Sequence, residues 1–499
     1  MSGNPPTSGI ERRGIDTVPA AERSYSPRSI FAVLYGSDLT FGVIVVGALP
    51  IAFGLGWWAA FWAILAGGAL GGLVLAPMGL FGPRTGTNNA VSSGAHFGVG
   101  GRFIGTMLSL FSAFGFVAVT LWTSGDALVS TLGRIFGFEA GAPARAVGYA
   151  LIAMLVLLVS IWGIHALLKV QSRIMVPIMT VVMLAGVIAF APDFTAGTTS
   201  DEPLLGGFWP TWTLSALVVA STVISYGPFI GDWARYIDPD EHSTASVVAA
   251  TGFGGFAGIA LPSLWGAFIA SSLPASATGV FVPDLVAASP AWYLPGIILL
   301  GLVAGCAQAA VGLYGTGLDT SSLIPRLSRV TATAAIAVVA VAFVYLGAFV
   351  WDAAAAVSAF LILLVIVTTP WIVILTIGYV VRRGHYHPDD LQVFTRGQRG
   401  GRYWFTAGFN WRAVAAWLPA SVIGVLFGAA PPVFTGPWAN AAGGVDLSFL
   451  SAGLTAAVLY TVFLVVAPEP AYVHGPRGPR FGSANAAEEP RPLADAVAR

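Results

Sequence analysis

Long apolar stretches alternate with short polar segments along almost the whole chain. A helix needs about 20 mainly apolar residues to cross the bilayer core, and only helices and closed barrels satisfy their backbone groups in lipid. The pattern therefore predicts an all-α polytopic membrane protein with twelve transmembrane helices, which we call spans one to twelve. The predicted spans are 30–53, 57–81, 103–131, 145–166, 172–192, 211–234, 247–271, 292–318, 330–350, 354–381, 411–430 and 448–467.

The segments outside the predicted spans are too polar to cross a membrane. Residues 1–29 form a polar N-terminal segment, and residues 468–499 are rich in Pro, Gly, Ala and Arg without apolar periodicity, which predicts a disordered tail. The stretch 82–101 carries several polar side chains and predicts a short helix between spans two and three, outside the membrane.

Composition excludes a water-soluble protein. The chain is 56% apolar and 9% charged, whereas soluble domains are about 25% charged. Such a sequence lacks the polar side chains needed to cover a water-facing surface. The zero net charge gives no sign of a nucleic-acid partner, and the single cysteine, Cys306, rules out an intramolecular disulfide framework.

The basic residues support this threading, because loops on the cytoplasmic side are enriched in Lys and Arg. If the N-terminus lies inside, all of the 23 Lys and Arg residues except Arg134 and Arg145 fall on the cytoplasmic side. A missed or invented helix would scramble this alternation in the second half of the chain. We therefore predict a multi-pass protein of the inner (plasma) membrane with both termini in the cytoplasm.

Two spans contain helix-breaking polar patches in matching positions. Span one contains the glycine-flanked segment Tyr35–Gly42, and span six contains Ser225–Asp232 with a Gly-Pro pair. These spans open two blocks of five helices, 30–192 and 211–381, which have opposite orientation because five is odd; helices within 411–467 are additional. Interrupted helices in corresponding positions of two halves mark a transporter's binding site. The alternative is that glycine and proline merely kink these helices.

Asp38 is the most informative single residue. An unpaired carboxylate at mid-bilayer costs at least about 2.5 kcal/mol, so Asp38 should face a cavity, find a partner or take up a proton. Facing a cavity or taking up a proton would suit a residue that couples transport to a cation. A hydrogen bond to a neighbouring helix would instead be purely structural. Asp126, Asp232, Asp319 and Asp352 lie close to predicted helix ends, where a solvated or capping role is expected.

Signals of an enzyme or of a bound cofactor are lacking. The six histidines do not follow a metal-ligand spacing, and Gly98–Gly101 has no preceding strand that would make it a nucleotide-binding loop. No nucleophile–base pattern stands out. We expect no catalytic residues, no metal and no cofactor.

Several short motifs run in order through most of the chain: Arg13–Pro19 with Glu22-Arg23, Gly82–Gly86, Phe97–Gly101, Asp232–Tyr236, Leu313–Leu318 and Gly378–Arg383. These motifs resemble the nucleobase–cation symporter-1 family, and in particular fungal-type purine–cytosine permeases and bacterial cytosine permease. Each motif alone is short. Their order within a twelve-span frame makes the resemblance specific.

The resemblance implies a five-plus-five inverted repeat with broken spans one and six. It also implies that an aromatic residue of span three stacks on a flat heterocycle, and this position falls on Phe116. A polar contact one turn later falls on Thr120. Stacking on an aromatic ring suits any nucleobase, because every base presents a π face.

The chain departs from the sodium-coupled members of that family. In those members span eight supplies oxygen ligands to the ion, but the corresponding positions here are Ala304, Ala307 and Gln308. The carbonyls of Gly36 and Leu39 would then be the main ligands left. Proton coupling, as in the fungal-type relatives, fits the carboxylate in span one better.

Together these observations predict a nucleobase symporter that takes up cytosine or purines with a cation, preferably a proton, by alternating access. Phe116 would stack on the base, and Asp38 would carry or sense the proton. Hydrogen bonds would come from Ser37, Thr120, Ser225, Tyr226, Gln308 and the broken-helix backbone at Gly36 and Gly227. Spans three, four, eight and nine would rock against spans one, two, six and seven.

Other substrates remain open at this stage. Uptake of allantoin, hydantoin, uracil or thiamine fits the same family, and a sodium–amino-acid symporter fits the same fold. The expected partners are a small-molecule substrate, a coupling cation and the lipid bilayer.

Overall fold

A computed structural model describes residues 16–162, 176–197, 202–274, 280–323, 329–393, 396–486 and 494–495. Spans one to six contain the helices Pro27–Ser37 with Phe41–Ala52, Trp57–Leu75 continued by Ala76–Leu80 and Phe81–Thr85, Phe103–Phe136, Ala142–Trp162, Val176–Phe190, and Phe208–Ile224 with Ile230–Ala234. Spans seven to twelve contain Thr244–Ala270, Leu294–Ile298 with Leu299–Ala304 and Gly305–Leu323, Arg329–Phe349, Ala353–Val381, Trp411–Phe427 and Ser448–Val466.

Short elements connect the spans. The helical ones are Ala20–Glu22, Asn89–Phe97, Ala191–Asp193, Phe281–Ala288, Ala291–Tyr293, Pro388–Leu391 and Ala471–Val473. Strand Gln398–Arg399 pairs with Ala494–Asp495, and Ala429–Ala430 pairs with Phe434–Thr435, both antiparallel.

The predicted all-α polytopic fold is confirmed. Within the described residues, eight helices are long and apolar enough to cross a membrane, and the bent pair in span one makes a ninth. Three shorter apolar helices, Phe208–Ile224, Thr333–Phe349 and Trp411–Phe427, coincide with predicted spans six, nine and eleven. Each of the twelve predicted spans thus corresponds to a helix or a broken helix.

Spans one and six are broken at the predicted places. The two helices of span one meet at an angle of 66°, and Asp38, Leu39 and Thr40 lie between them. In span six the helix ends at Ile224, and residues 225–229 form turns before the short helix Ile230–Ala234 begins. Proline at 228 lacks an N–H and cannot continue the helical ladder.

Packing divides most of the helices into two groups. Span seven packs along both halves of span one and along span two, and span two packs along span six. Spans three, four, eight and nine pack against one another. Glycines allow the close contacts: a Cβ on Gly47 would lie 2.0 Å from the backbone of Ser263, and one on Gly266 would lie 2.0 Å from the carbonyl oxygen of Ile44.

Backbone hydrogen bonds join segments outside the spans to distant parts of the chain. The Val18 N–H donates to the Gly86 carbonyl over 2.9 Å. The Leu204 N–H donates to the Phe53 carbonyl, also over 2.9 Å. The segment 82–101 contains the predicted short helix, at Asn89–Phe97, which we call the loop helix.

The tail differs from the prediction of disorder over residues 468–486, which we call the tail segment. Glu469 and Val473 are almost fully buried, and the Arg480 N–H donates to the Val381 carbonyl over 2.8 Å. The sequence pattern did not predict these contacts, because an extended segment that is held by its side chains shows no apolar periodicity. The basic residues at 12, 13, 169, 173, 326, 491 and 499 lie outside the described residues.

Candidate functional site

The two helix breaks meet at Asp38. Its Oδ1 accepts a hydrogen bond from the Tyr226 hydroxyl over 2.5 Å, and the Ser37 Oγ lies 3.3 Å from the same hydroxyl oxygen. Asp38 and Ser37 come from the break of span one, whereas Tyr226 comes from the break of span six. The structure therefore brings together three residues that the sequence predicted separately.

Gln308 of span eight joins this cluster. Its Oε1 accepts hydrogen bonds from the hydroxyls of Thr40 over 2.7 Å and Thr120 over 3.2 Å. Its Nε2 donates to Asp38 Oδ1 over 3.4 Å. The amide thus bridges spans one, three and eight, with its acceptor and its donor both engaged. Thr40 was not predicted, although it lies in the same polar patch as Ser37 and Asp38.

The second carboxylate oxygen of Asp38 has no hydrogen-bond partner. Asp38 is fully buried, and its Oδ2 is enclosed by protein without a donor. This oxygen faces Gly258 of span seven, where a Cβ would lie 2.9 Å from it. An ionised carboxylate is costly in such surroundings unless it is paired, so this geometry favours the protonated form.

Phe116 lies one helical turn before Thr120 on span three and packs against span ten. Its ring is half-buried and meets Phe360 of span ten edge-on, with the centroids 5.6 Å apart. Phe360 also lines an apolar cavity of about 570 Å³ between spans three, nine and ten. The ring of Phe360 packs over Gly115, where a Cβ would lie 2.2 Å from it.

Ser225 and Gly227 bond to groups other than those around Asp38, and Gly36 packs against span five. Ser225 Oγ donates to the Thr222 carbonyl of its own helix over 2.6 Å. A Cβ on Gly36 would meet Val176 of span five at 2.8 Å. The Gly227 carbonyl accepts a hydrogen bond from Asn89 Nδ2 over 2.8 Å, so the loop helix satisfies it.

Asn89 is a residue that the sequence analysis missed. Besides Gly227 it donates to the carbonyl of Met78, at the irregular end of span two, over 3.1 Å. One amide thus holds two backbone carbonyls that lie outside regular α-helix. The sequence shows that Asn89 lies in a polar segment, but not its partners: Met78 is 11 residues away along the chain and Gly227 is 138 residues away.

The expectation for Asp126 is wrong. Asp126 lies inside span three and is 1% exposed, and its Oδ1 accepts a hydrogen bond from Tyr149 of span four over 2.6 Å. Span three is longer than predicted and ends at Phe136, which moves Asp126 away from the helix end. Asp352, in contrast, caps span ten as expected, accepting from the Ala355 N–H over 2.7 Å. The side chain of Asp319 lies outside the described part.

Within the described ranges of the chain, no group of three or more His, Cys, Asp or Glu side chains could hold a metal ion. The rings of His385 and His387 are adjacent, with their centroids 4.7 Å apart, but they belong to no such group.

Comparison with known proteins places this chain in a family of permeases. Residues 17–450 match the family described as permease for cytosine/purines, uracil, thiamine, allantoin. A relative from Bacillus subtilis (strain 168), YxlA, named as a purine-cytosine permease, is 23% identical over 468 residues, covering 91% of this chain and 96% of the relative.

Solved structures show the same fold. The chain resembles Mhp1, a nucleobase-cation-symport-1 family transporter, in a closed conformation with bromovinylhydantoin bound, with a TM-score of 0.70 and 18% identity over 91% of this chain and 94% of Mhp1. The inward-facing conformation of Mhp1 gives a TM-score of 0.67 at 17% identity, covering 91% of this chain and 93% of Mhp1. A Na+-coupled sialic acid symporter gives 0.53 at 14% identity, covering 89% of this chain and 90% of that symporter.

These findings confirm the resemblance inferred from the motifs and the five-plus-five inverted repeat with broken spans one and six. The relatives are permeases rather than enzymes. The chain is a multi-pass membrane transporter that belongs to the family of permeases for cytosine/purines, uracil, thiamine and allantoin.

Proposed function

We propose that this permease imports a nucleobase, cytosine or a purine, together with a proton by alternating access. The observation that carries the proposal is the buried carboxylate of Asp38, which lies where both helix breaks meet and keeps one oxygen without a partner. The permease family and the nucleobase name of the Bacillus relative support the substrate class.

The hydrogen-bonding groups around Asp38 suit the edge of a flat heterocycle. The Gln308 amide offers both an acceptor and a donor, and the hydroxyls of Thr40 and Thr120 already bond to it. In this compact arrangement the groups satisfy one another, so a base would exchange these internal bonds for its own. Phe116 provides the ring for stacking after Phe360 moves aside. Tyr226 bonds to the Asp38 carboxylate and Ser37 bonds to the Tyr226 hydroxyl, whereas Ser225 and the backbone at Gly36 and Gly227 would act only after rearrangement.

Proton coupling fits the residues of span eight better than sodium coupling. A sodium site there would need side-chain oxygens, but Ala304 and Ala307 supply none. A proton needs only one basic oxygen that alternates between the two sides of the membrane. Asp38 Oδ2 provides it, and the hydroxyl of Tyr226 orients the other oxygen.

The remaining parts of the proposal concern placement. The protein lies in the plasma membrane with its termini in the cytoplasm, because that threading puts nearly all basic residues inside. Residues 30–192 and 211–381 form the two inverted halves, and helices within 411–467 are additional.

The test is uptake of labelled cytosine and adenine into vesicles containing the purified protein, with proton and sodium gradients imposed separately. We expect a proton gradient to drive accumulation. Asp38→Asn should bind the base but only equilibrate it, since the amide cannot exchange a proton. Asp352→Asn is the matched control, because Asp352 is exposed and caps a helix.

Two results would refute the proposal. Accumulation by Asp38→Asn at the wild-type level would remove Asp38 from coupling, and a response to the sodium gradient alone would identify a different ion. Competition by unlabelled allantoin, hydantoin, uracil and thiamine distinguishes the other substrates of the family. Uptake of an amino acid with sodium, without any nucleobase uptake, would replace the proposal with the same-fold alternative.

A further inference from the structure

A small recess lies at the end of the molecule that carries the N-terminal and tail segments. It has a volume of about 170 Å³ and is formed by three parts of the chain: Arg84 after span two, Arg382–His385 after span ten, and Gly475–Gly478 of the tail segment. We call it the basic recess. It is distinct from the central site, which lies within the spans.

Among the described residues, the basic recess is lined by positive side chains and by no acidic one. Arg84, Arg383 and Arg477 line it and are exposed, and no Asp or Glu is among its lining residues. Arg382 also lines it, but Glu469 neutralises that guanidinium over 2.8 Å. Other arginines at this end have acidic partners: Arg402 pairs with Asp390 over 3.1 Å.

This grouping of three like charges is held in place by close packing. A Cβ on Gly475 would lie 2.9 Å from the His385 ring, so the tail segment approaches span ten more closely than a larger residue permits. The Arg480 N–H donates to the Val381 carbonyl over 2.8 Å. Arg383 has a φ of +54°, a conformation that costs energy for a residue other than glycine. An anion between the arginines would reduce their mutual repulsion.

The two histidines near the recess add little charge at neutral pH. Burial, and then the nearby Arg382, lower the pKa of His474 to about 4. Burial and Arg402 also lower the pKa of His385 below its ordinary value. The attraction for an anion therefore comes from the arginines, whose charge is constant across the physiological range.

The size and the donor set favour a phosphate group over a carboxylate. Water occupies about 30 Å³ per molecule in the liquid, so the recess has room for one tetrahedral anion with a few waters. Guanidinium groups bind phosphate through paired, charge-assisted hydrogen bonds. A terminal phosphate has three oxygens to share among three arginines, whereas a carboxylate has two.

We propose that the basic recess binds a phosphate group and that the bound phosphate ties the tail segment to the ends of spans two and ten. The phosphate belongs either to a soluble phosphate ester or to the headgroup of an anionic lipid, since both present the same oxygens. Because span two packs with the group of spans one, six and seven, such a tie links a moving part of the transporter to its C-terminal helices.

The test uses the full-length purified protein and its thermal unfolding midpoint. Inorganic phosphate is titrated in detergent against chloride at equal ionic strength. We expect a saturable rise in the midpoint for the wild type. The phosphate concentration that gives half the rise should increase about tenfold or more in Arg84→Gln and in Arg477→Gln, since each loses charge-assisted hydrogen bonds.

Arg480→Gln is the matched control, because Arg480 is exposed on the same tail segment but does not line the recess. Arg477→Lys keeps the charge and should retain part of the response, which separates loss of binding from misfolding. The second arm places the same variants in phosphatidylcholine bilayers with or without phosphatidylglycerol.

A response to phosphate in detergent without a response to phosphatidylglycerol identifies a soluble phosphate ester as the ligand. A response to phosphatidylglycerol that is lost in Arg84→Gln and Arg477→Gln identifies a lipid headgroup, whether or not inorganic phosphate also binds. If neither arm gives a saturable rise, or if Arg480→Gln loses the response as much as Arg477→Gln does, the basic recess is not a phosphate site. Nucleobase uptake is not part of the readout, so failure here leaves the proposed function untouched.

Discussion

Gly258 sets how closely span seven approaches the break of span one. A Cβ at this position would lie 2.6 Å from the Leu34 carbonyl oxygen and 2.9 Å from Asp38 Oδ2. The neighbours are backbone and a fully buried carboxylate, which cannot move aside easily. The smallest side chain is therefore required where the carboxylate has no partner.

We expect Gly258→Ala to lower both stability and proton-driven uptake. Overpacking of this kind costs about 1–3 kcal/mol, and the displaced carboxylate would lose its contact with Tyr226. Gly347→Ala in span nine is the control, because nothing lies within 4 Å of the position of its Cβ. Thermal unfolding and initial uptake rates of the two variants should differ; equal values would show that the close approach is unimportant.

At this scale the sequence predicts residue types better than directions. Ser37, Asp38 and Tyr226 were predicted from polar patches inside apolar spans, and they do meet. Ser225 is adjacent to Tyr226 in the same patch, yet its hydroxyl bonds to its own helix. The turn that ends a helix decides which neighbour faces inward, and no pattern in the sequence describes that turn.

The loop helix Asn89–Phe97 is the element that connects the end of the molecule to the central site. Asn88 caps it, accepting from the Val91 N–H over 2.9 Å, and Asn89 reaches the carbonyls of Met78 and Gly227. A Cβ on Gly231 would lie 2.4 Å from the backbone nitrogen of Asn89. The broken span six thus packs directly onto this helix.

Asn89→Ala should destabilise the protein by about 1–3 kcal/mol, because it leaves buried carbonyls without a donor. Asn440→Ala is the control: Asn440 is exposed in the loop before span twelve, where substitutions change stability by about 0.5 kcal/mol or less. Thermal unfolding checks both. Equal midpoints for the two variants would mean that water replaces the Asn89 amide.

An irregular turn within span eight is the reason that the register of this span could not be predicted from the sequence. Residues Leu299–Ala304 form a π-helical turn, which adds a residue to the helix and rotates everything after it. Counting positions at a constant helical period therefore drifts by one residue before Gln308. The helix itself was predictable from its apolar length, but this local irregularity was not.

A buried ion pair between Arg382 and Glu469 links several segments near the C-terminal end of the chain. Arg382, after span ten, bonds to both carboxylate oxygens of Glu469, at 3.0 and 2.8 Å, and to the Ala95 carbonyl of the loop helix at 2.7 Å. Asn410 donates to Glu469 and to the His96 carbonyl, over 3.0 and 2.7 Å. The ion pair thus joins span ten, the loop helix and the tail segment.

Glu469→Gln should lower stability by about 3–5 kcal/mol, since it leaves the Arg382 charge buried without a counter-ion. Asp389→Asn is the control, because its partner Arg396 lies 3.8 Å away and both side chains are largely exposed; exposed pairs contribute about 1 kcal/mol or less. Denaturation in detergent measures both. Similar losses would contradict the structural role of the buried pair.

His474 makes this region sensitive to acid. Burial, followed by Arg382, lowers its pKa to about 4 from an ordinary value of 6.5. The unfolded chain therefore binds the proton more readily, so the stability is complete above pH 6.5 and is lost as the pH falls towards 4. The slope reaches at most about 1.4 kcal/mol per pH unit.

We expect His474→Gln to flatten the dependence of the unfolding midpoint on pH between 6.5 and 4. His242→Gln, in the loop between spans six and seven, should keep the wild-type slope. A slope unchanged by His474→Gln would place the acid sensitivity in other groups, such as His96, whose pKa burial also lowers.

The architecture as a whole could be predicted because apolar length and the positions of basic residues are strong signals. The buried side of the tail segment could not, since Glu469 is held by the side chains of Arg382 and Asn410 rather than by a periodic apolar face. For the same reason the sequence did not predict the role of Asn89, whose two carbonyl partners lie far away along the chain. Hydrogen bonds between distant segments depend on the tertiary structure, and hydrophobic periodicity does not report them.

The two halves of span ten have different neighbours, and the outer half is also bonded, since the Ser221 hydroxyl of span six donates to the Leu361 carbonyl. The inner half is fixed by Arg382, and the Trp417 indole N–H of span eleven holds the Val367 carbonyl over 2.9 Å, next to the interior Pro370. The outer half, Ala353 to Leu363, borders the apolar cavity. An interior proline weakens the helix around it, so we expect the half of span ten that borders the cavity, and that carries Phe360 against the ring of Phe116, to bend more easily than the half that bonds to Glu469 and Trp417.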